Sequence, residues 1–132
     1  MGLNEALQGK AYPPVTFVVE EARVRDFATA VAHPGAGVPP TLVTAPEVSA
    51  GLANVIDDTD LGLDLSSVLH GEQEYEWTRP LRVGETVSAQ ATIESIRGRG
   101  ATRFLTLRTV VRDEHGEPVV VGRSTLIVRE GA

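Results

Sequence analysis

The side chains in this sequence that could move a proton are few, and they stand apart. Between Phe27 and Ile56 there is no aspartate, Glu47 is the only carboxylate and His33 the only histidine. General acid–base chemistry needs two groups that reach the same substrate atoms, and a lone His33 in a Gly/Pro-rich loop does not make such a pair. His33 is therefore expected to be solvated or locally bonded, with catalysis as the alternative. Glu47 has two readings as well. Thr44-Ala45-Pro46-Glu47 fits a capping box, with Thr44 at the N-cap and Glu47 at N3, and that is the expected role. The alternative is a carboxylate acting as base or nucleophile. His70 alternates along a strand with Glu72, Glu74 and Glu76, a pattern expected of a solvent-facing sheet surface. The functional alternative places His70 and Gln73 near a subunit seam or the mouth of a binding tunnel. His115 falls in a hairpin loop and is expected to be exposed. Arg97, Arg99 and Arg103 cluster at one turn, where they could meet phosphates, although a solvated turn explains them as well. The histidines lack metal-ligand spacing. No phosphate-binding glycine motif or nucleophile elbow occurs.

Composition narrows the classes further. The chain has 132 residues, 42% of them hydrophobic, which suits one domain spanning 1–132 with one real core. A net charge of −6, from 18 acidic and 12 basic residues, argues against a nucleic-acid binder. With no cysteine there is no disulfide, thiolate metal site or cysteine nucleophile. The first ten residues do not resemble a signal peptide, and no apolar stretch approaches membrane-spanning length. A cytoplasmic protein is expected.

The elements that must position these residues follow from periodicity. Ala11–Val19 alternates through Val15, Phe17 and Val19 after Tyr12-Pro13-Pro14, which predicts a short strand with prolines at its start. Val24, Phe27, Ala28 and Val31 form one apolar face of a helix over Glu20–Ala32, stopped by Pro34 and Gly35. His33–Pro40 reads as a loop. A second helix runs from Thr44 to Ile56 and is apolar on most sides, so it is expected to be buried. Gly51 within it is costly unless another backbone packs close there. Asp57-Asp58-Thr59-Asp60 ends this helix, and carboxylates are unfavourable at that end of the dipole, so the chain should turn away quickly. Four strands follow. In the first, Leu69, Gly71, Gln73, Tyr75 and Trp77 share one face. Tyr75 and Trp77 are expected to pack against a helix or a partner subunit, with lining a binding tunnel as the alternative for both. Turns at Arg82–Glu85, Gly98–Gly100 and Asp113–Glu117 separate the strands. Consecutive strands joined by short turns make an antiparallel sheet, and a mostly apolar helix must be covered nearly all round. A curved sheet wrapped around that helix meets both demands: an α+β hot-dog fold.

Four segments carry a family resemblance: Gly9-Lys10-Ala11-Tyr12-Pro13-Pro14, Pro39-Pro40-Thr41, Val68-Leu69-His70-Gly71-Glu72-Gln73 and Arg79-Pro80-Leu81-Arg82-Val83-Gly84-Glu85. In this order, from about Gly9 to Val128, they resemble the MaoC-like hydratase/dehydratase superfamily. More narrowly they resemble its N-terminal-type branch, which includes the A subunit of the actinobacterial (3R)-hydroxyacyl-ACP dehydratase. The resemblance implies paired hot-dog domains, an acyl chain lying beside the central helix, and an Asp and a His on the preceding loop that work on an acyl thioester. Helix-end N–H groups would help hold the thioester oxygen. Here that Asp–His signature is missing, and only His33-Pro34 remains near its place. The implied function is an acyl-thioester-binding subunit, not catalytic alone, in a homodimer or in a heterodimer with a catalytic MaoC-like partner. It would use no cofactor beyond the coenzyme A or phosphopantetheine that carries the substrate, whose phosphates the arginine cluster could meet. Pro40, Thr41 and Leu42, at the helix entrance, are the expected thioester contacts, with His70, Gln73 and Trp77 as further binding residues. The alternatives are a hot-dog thioesterase using Glu47 and a hot-dog homodimer that binds no acyl group.

Overall fold

Pro13 and Pro14 have no backbone N–H to give to a sheet. In the computed structural model, which describes residues 2–130, the first strand accordingly starts after them: β1 is Val15–Val18. The strand predicted from Ala11 is thus shortened, and Ala11 keeps one isolated bridge to Thr92. Helix α1, Glu21–Ala30, ends where Ala32 takes a φ of 54° and the His33 N–H reaches back to the Ala28 carbonyl at 2.9 Å.

The predicted second helix is present but divided. A 3₁₀ turn over Pro40–Val43 runs straight into α2, Thr44–Ala50, and α3, Leu52–Asp57, follows after Gly51. The break lies where the helix presses on the sheet. A Cβ at Gly51 would stand 3.2 Å from the Glu47 carbonyl oxygen, 3.5 Å from Leu107 Cδ1 and 3.6 Å from Ala91 Cβ. Hydrogen bonding continues through the kink, from Gly51 N to Glu47 O at 2.9 Å and from Val55 N to Gly51 O at 3.0 Å. The strands thus meet Gly51 with side chains at ordinary contact distance, and the tight neighbour is the helix's own Glu47 carbonyl rather than the backbone of another element expected of a mid-helix glycine.

Strands β2 (Val68–Trp77), β3 (Thr86–Arg99), β4 (Thr102–Arg112) and β5 (Pro118–Arg129) complete a five-stranded sheet in the order β1-β3-β4-β5-β2, antiparallel throughout. Its concave face holds α2 and α3 between two apolar clusters. One contains Phe17, Leu42, Val43, Ala50, Val87 and Val111. The other contains Tyr12, Val55, Leu61, Ile93, Leu105 and Leu126. A register shift between His70 and Glu72 interrupts β2. A bulge of this kind moves the residues before it onto the opposite face from strict alternation. Leu69, expected on the face of Gln73, is 70% exposed as a result.

The family-like segments have structural work to do. Lys10 Nζ donates to Asp58 Oδ2 at 2.7 Å and the Tyr12 hydroxyl donates to the same oxygen at 2.8 Å, tying the N-terminal arm to the end of α3. Arg79 makes a two-pronged contact with Glu85, at 3.0 and 2.7 Å, and closes the β2–β3 connection. The Arg79 guanidinium holds the Glu85 carboxyl below the usual range.

Lys10, and then Tyr12, hold the Asp58 carboxyl below its ordinary value. A depressed folded-state pKa adds stability above the unfolded pKa and loses it as pH falls through the folded one. Asp58→Asn should therefore cost about 1–3 kcal/mol at neutral pH. The gap to the unaltered protein should narrow below about pH 4. Thermal melts from pH 7 to pH 3 measure both.

Candidate functional site

Glu47 is the centre of the site, and it does not cap a helix. Because the 3₁₀ turn feeds directly into α2, Val43 occupies the N-cap position and no side chain caps the helix. The Thr44 hydroxyl instead donates back to the Thr41 carbonyl at 2.8 Å. The expected capping box is thus absent, and Glu47, 7% exposed, points at the sheet. Its Oε1 accepts the Tyr75 hydroxyl at 2.5 Å, and its Oε2 accepts Gln73 Nε2 at 2.9 Å with Ser124 Oγ at 3.3 Å. Among the described residues no lysine or arginine pairs with it.

The sheet register builds this nest. Gln73 stands opposite Ser124 and Tyr75 opposite Gly122 across β2 and β5. On the other side of β5, Thr109 of β4 pairs with Gly122. Gly122 makes room for the carboxylate: a Cβ there would overlap Glu47 Oε2 and stand 3.1 Å from Tyr75 Cε1. Burial, and then the adjacent Glu47, push the Tyr75 hydroxyl up from its ordinary value, so it stays a hydrogen-bond donor.

A cavity of about 250 Å³ opens beside the nest. Val48, Leu52, Leu107 and Leu126 form its apolar wall, and Glu47, Gln73, Ser124, His70 and Thr109 add polar groups. The bulge in β2 brings His70 to this cavity. The solvent-facing position predicted from alternation is only partly right, because His70 is exposed yet lines the opening, with Nε2 at 3.1 Å from the Glu72 carbonyl oxygen. A second cavity, about 300 Å³, lies between the loop before α2 and the end of β2, lined by Val38, Pro39, Pro40, Trp77 and the Thr78–Leu81 turn.

The residues singled out from the sequence are thus divided. Gln73 and His70 share the Glu47 cavity, while Pro40 and Trp77 share the second. Leu42, 2% exposed, is packed in the core and lines neither cavity, which removes it as a thioester contact. Thr41 is exposed and offers its carbonyl to Thr44. His33 lines neither cavity. Arg103 is engaged by Glu5 and Glu130 at 3.1 Å each, so it is not a free phosphate contact. Arg97 is exposed, and the Arg99 side chain lies outside the described residues. Ser124, Thr109 and Gly122 were not legible as site residues, and for Tyr75 packing was the expected role and tunnel lining only the alternative. The one available signal was Gly122 itself, an isolated glycine inside a strand and so a mark of close approach.

A curved antiparallel sheet around a central helix, with a cavity beside that helix, defines a hot-dog domain. Residues 32–121 match the family described as "FAS1-like, dehydratase domain region", and the chain belongs to that family. It is 35% identical to the UPF0336 protein SCO4636 of Streptomyces coelicolor, covering 98% of this chain and 97% of that one. A UPF0336 protein of Thermobifida fusca is 32% identical over 100% of this chain and 97% of its own length. The Streptomyces coelicolor alignment runs over 146 positions, so that relative carries residues this chain of 132 lacks. Among solved structures, the HadBC (3R-hydroxyacyl-ACP dehydratase) complex from Mycobacterium tuberculosis superposes with a TM-score of 0.77 at 22% identity, covering 92% of this chain and 96% of that one. The ChsH1–ChsH2 complex from the same organism gives 0.70 at 17% identity, with 97% and 88% covered. The (R)-hydratase from A. caviae gives 0.62 at 15% identity, with 90% and 94% covered. These structures share the fold.

Gly122→Ala should cost about 1–3 kcal/mol by forcing Glu47 from its nest. In a Glu47→Ala background most of that cost should vanish, because the overlapping group is gone. A double-mutant cycle of unfolding free energies measures the coupling, and additive costs would show that Gly122 does not accommodate Glu47.

Proposed function

We propose that this chain is an acyl-thioester-binding subunit of a (3R)-hydroxyacyl-ACP or -CoA dehydratase, of the enoyl hydratase type, and works with a hot-dog partner that carries the catalytic Asp and His. The observation that carries this reading is the engagement of Glu47. It is the sole carboxylate from Phe27 to Ile56, both of its oxygens are held by Tyr75 and Gln73, and His33 stands outside its cavity. The absence of any aspartate between Phe27 and Ile56, beside the lone His33 of the preceding loop, supports a chain that is not catalytic alone, although His70 shares the Glu47 cavity. What remains is a cavity with an apolar wall and a few placed polar groups, the usual make-up of a ligand site.

A partner is supported by the sheet edge. Among the described residues β2 pairs only with β5, which leaves its outer edge open. An open edge of this length is normally covered by another chain or protected, and a homodimer or a heterodimer would serve. No helix among the described residues is long and apolar enough to cross a membrane. Coenzyme A and carrier-protein thioesters are intracellular compounds, so the reading places the chain in the cytoplasm.

One observation favours a second reading, a complete thioesterase. Glu47 is buried at a cavity and does not cap a helix. The two readings separate in one assay set. The purified chain alone is expected not to hydrate a trans-2-enoyl-CoA, while acyl-CoA at about 100 times its dissociation constant raises its stability by about 2.7 kcal/mol. Addition of a catalytic MaoC-like partner should restore hydration. Hydrolysis of acyl-CoA by the chain alone, abolished in Glu47→Gln, would establish the thioesterase instead. If no acyl-CoA shifts the melting temperature, the chain is a scaffold that binds no acyl group.

A further inference from the structure

Glu47 carries a carboxylate into the interior without a positive charge to meet it. It is 7% exposed, and among the described residues no lysine or arginine pairs with it. The 250 Å³ cavity that it lines has neither residue in its lining, and His70 stands at the opening. The basic residues nearest along the strands are turned away. Arg108 precedes Thr109 and Arg123 precedes Ser124, both of which line the cavity, so strand alternation carries the two arginines to the outer face of the sheet. There Arg123 pairs with Glu94 at 3.1 Å and with Glu74 at 3.5 Å. Buried charges are ordinarily paired with an opposite charge or bound to a metal. A metal ion does not suit this place, because no group of three or more His, Cys, Asp or Glu side chains among the described residues is placed to hold one.

We infer that the cavity beside Glu47 binds a primary ammonium group carried on an aliphatic chain. This goes beyond the thioester-binding reading and does not depend on it. The lining matches both parts of such a ligand. An ammonium group has three N–H donors and no acceptor, and the cavity offers it the Glu47 carboxylate with the side-chain oxygens of Gln73, Thr109 and Ser124. Val48, Leu52, Leu107 and Leu126 receive the hydrocarbon. The size agrees as well. A cavity of roughly 150 Å³ holds one benzene molecule, so 250 Å³ holds about ten non-hydrogen atoms in the same proportion, close to an octylammonium ion. Burying an ion pair ordinarily requires both charges to leave water. Here folding has already desolvated the carboxylate, so only the ammonium gives up hydration on binding. A neutral ligand of equal length gains the burial of its chain and leaves the carboxylate without a counter-charge.

Isothermal titration of the full chain with octylammonium chloride and with octanol tests this. Octylammonium should bind roughly tenfold tighter, as hydrogen bonds to a charged acceptor warrant. Glu47→Gln, nearly the same in shape, should remove that preference while the affinity for octanol stays close to that of the unaltered protein. A merely structural role for Glu47 would lower both affinities together. If Glu47→Gln does not fold, as judged by circular dichroism, octyltrimethylammonium decides on the unaltered protein. It keeps the charge without the N–H donors and should bind no tighter than octanol, whereas binding equal to that of octylammonium overturns the inference. Octylammonium binding no tighter than octanol, or a preference that survives in Glu47→Gln, overturns it as well and leaves the thioester-binding reading standing. The source of the amine is read from ω-aminooctanoyl-CoA against octanoyl-CoA. A similar preference for the aminoacyl compound supports an ammonium borne on an acyl thioester. If octylammonium binds and neither thioester does, a free amine is the ligand, and the thioester-binding reading alone is overturned.

Discussion

A buried carboxylate held by neutral donors is the constraint around which this domain is arranged. Burying such a group without hydrogen bonds is prohibitive, and Glu47 has no cation among the described residues to offset the cost. Its donors come from β2 and β5, far from it in sequence, so α2 must sit at one height and rotation over the sheet. That position demands a glycine at 122 beneath the carboxylate and helps explain the glycine at 51, one turn along the same helix, where the backbone nears Ala91 and Leu107. Networks of this kind are costly if half satisfied and orienting if complete. Glu47 also pins β2, the outermost strand on its side, to the helix.

The polar seam lies between two apolar clusters that would otherwise merge. Along β4 the inward residues run Leu105, Leu107, Thr109, Val111, and along β5 they run Val120, Gly122, Ser124, Leu126. Each strand thus interrupts its hydrocarbon with small or polar residues at the height of Glu47. A core built for stability alone would fill those places with aliphatic side chains. The seam leaves a cavity beside α2 instead.

Two of the four segments through which the chain resembles its family act as clamps at a distance from the cavity by Glu47, whereas Val68–Gln73 contributes His70 and Gln73 to that cavity. Lys10 and Tyr12 fasten the N-terminal arm to Asp58, and Arg79 fastens the β2–β3 connection through Glu85 and, more loosely, Asp113 at 3.5 Å. Their partly buried, multi-donor geometry gives them more weight than an exposed ion pair would have. They set the frame, so they can be shared by proteins whose sites differ. Family membership accordingly specifies this fold more tightly than this chemistry.

Sequence alone determined the elements and their assembly. Period-two runs separated by Gly-containing turns dictated an antiparallel sheet, and an apolar helix dictated that the sheet wrap it, because local periodicity records which face of each element is buried. It determined that no aspartate stands between Phe27 and Ile56 as well, since composition is not altered by folding. Tertiary structure decided what Glu47 does. Thr44-Ala45-Pro46-Glu47 satisfies the local rule for a capping box, but the 3₁₀ turn before it and the donors on β2 and β5 override that rule, and neither is written in the four residues themselves. The face of His70 was decided the same way, by a one-residue bulge that reverses strand phase without changing composition. A site assembled across 77 residues of chain, from Glu47 to Ser124, exists only once the register of β2 on β5 has been set.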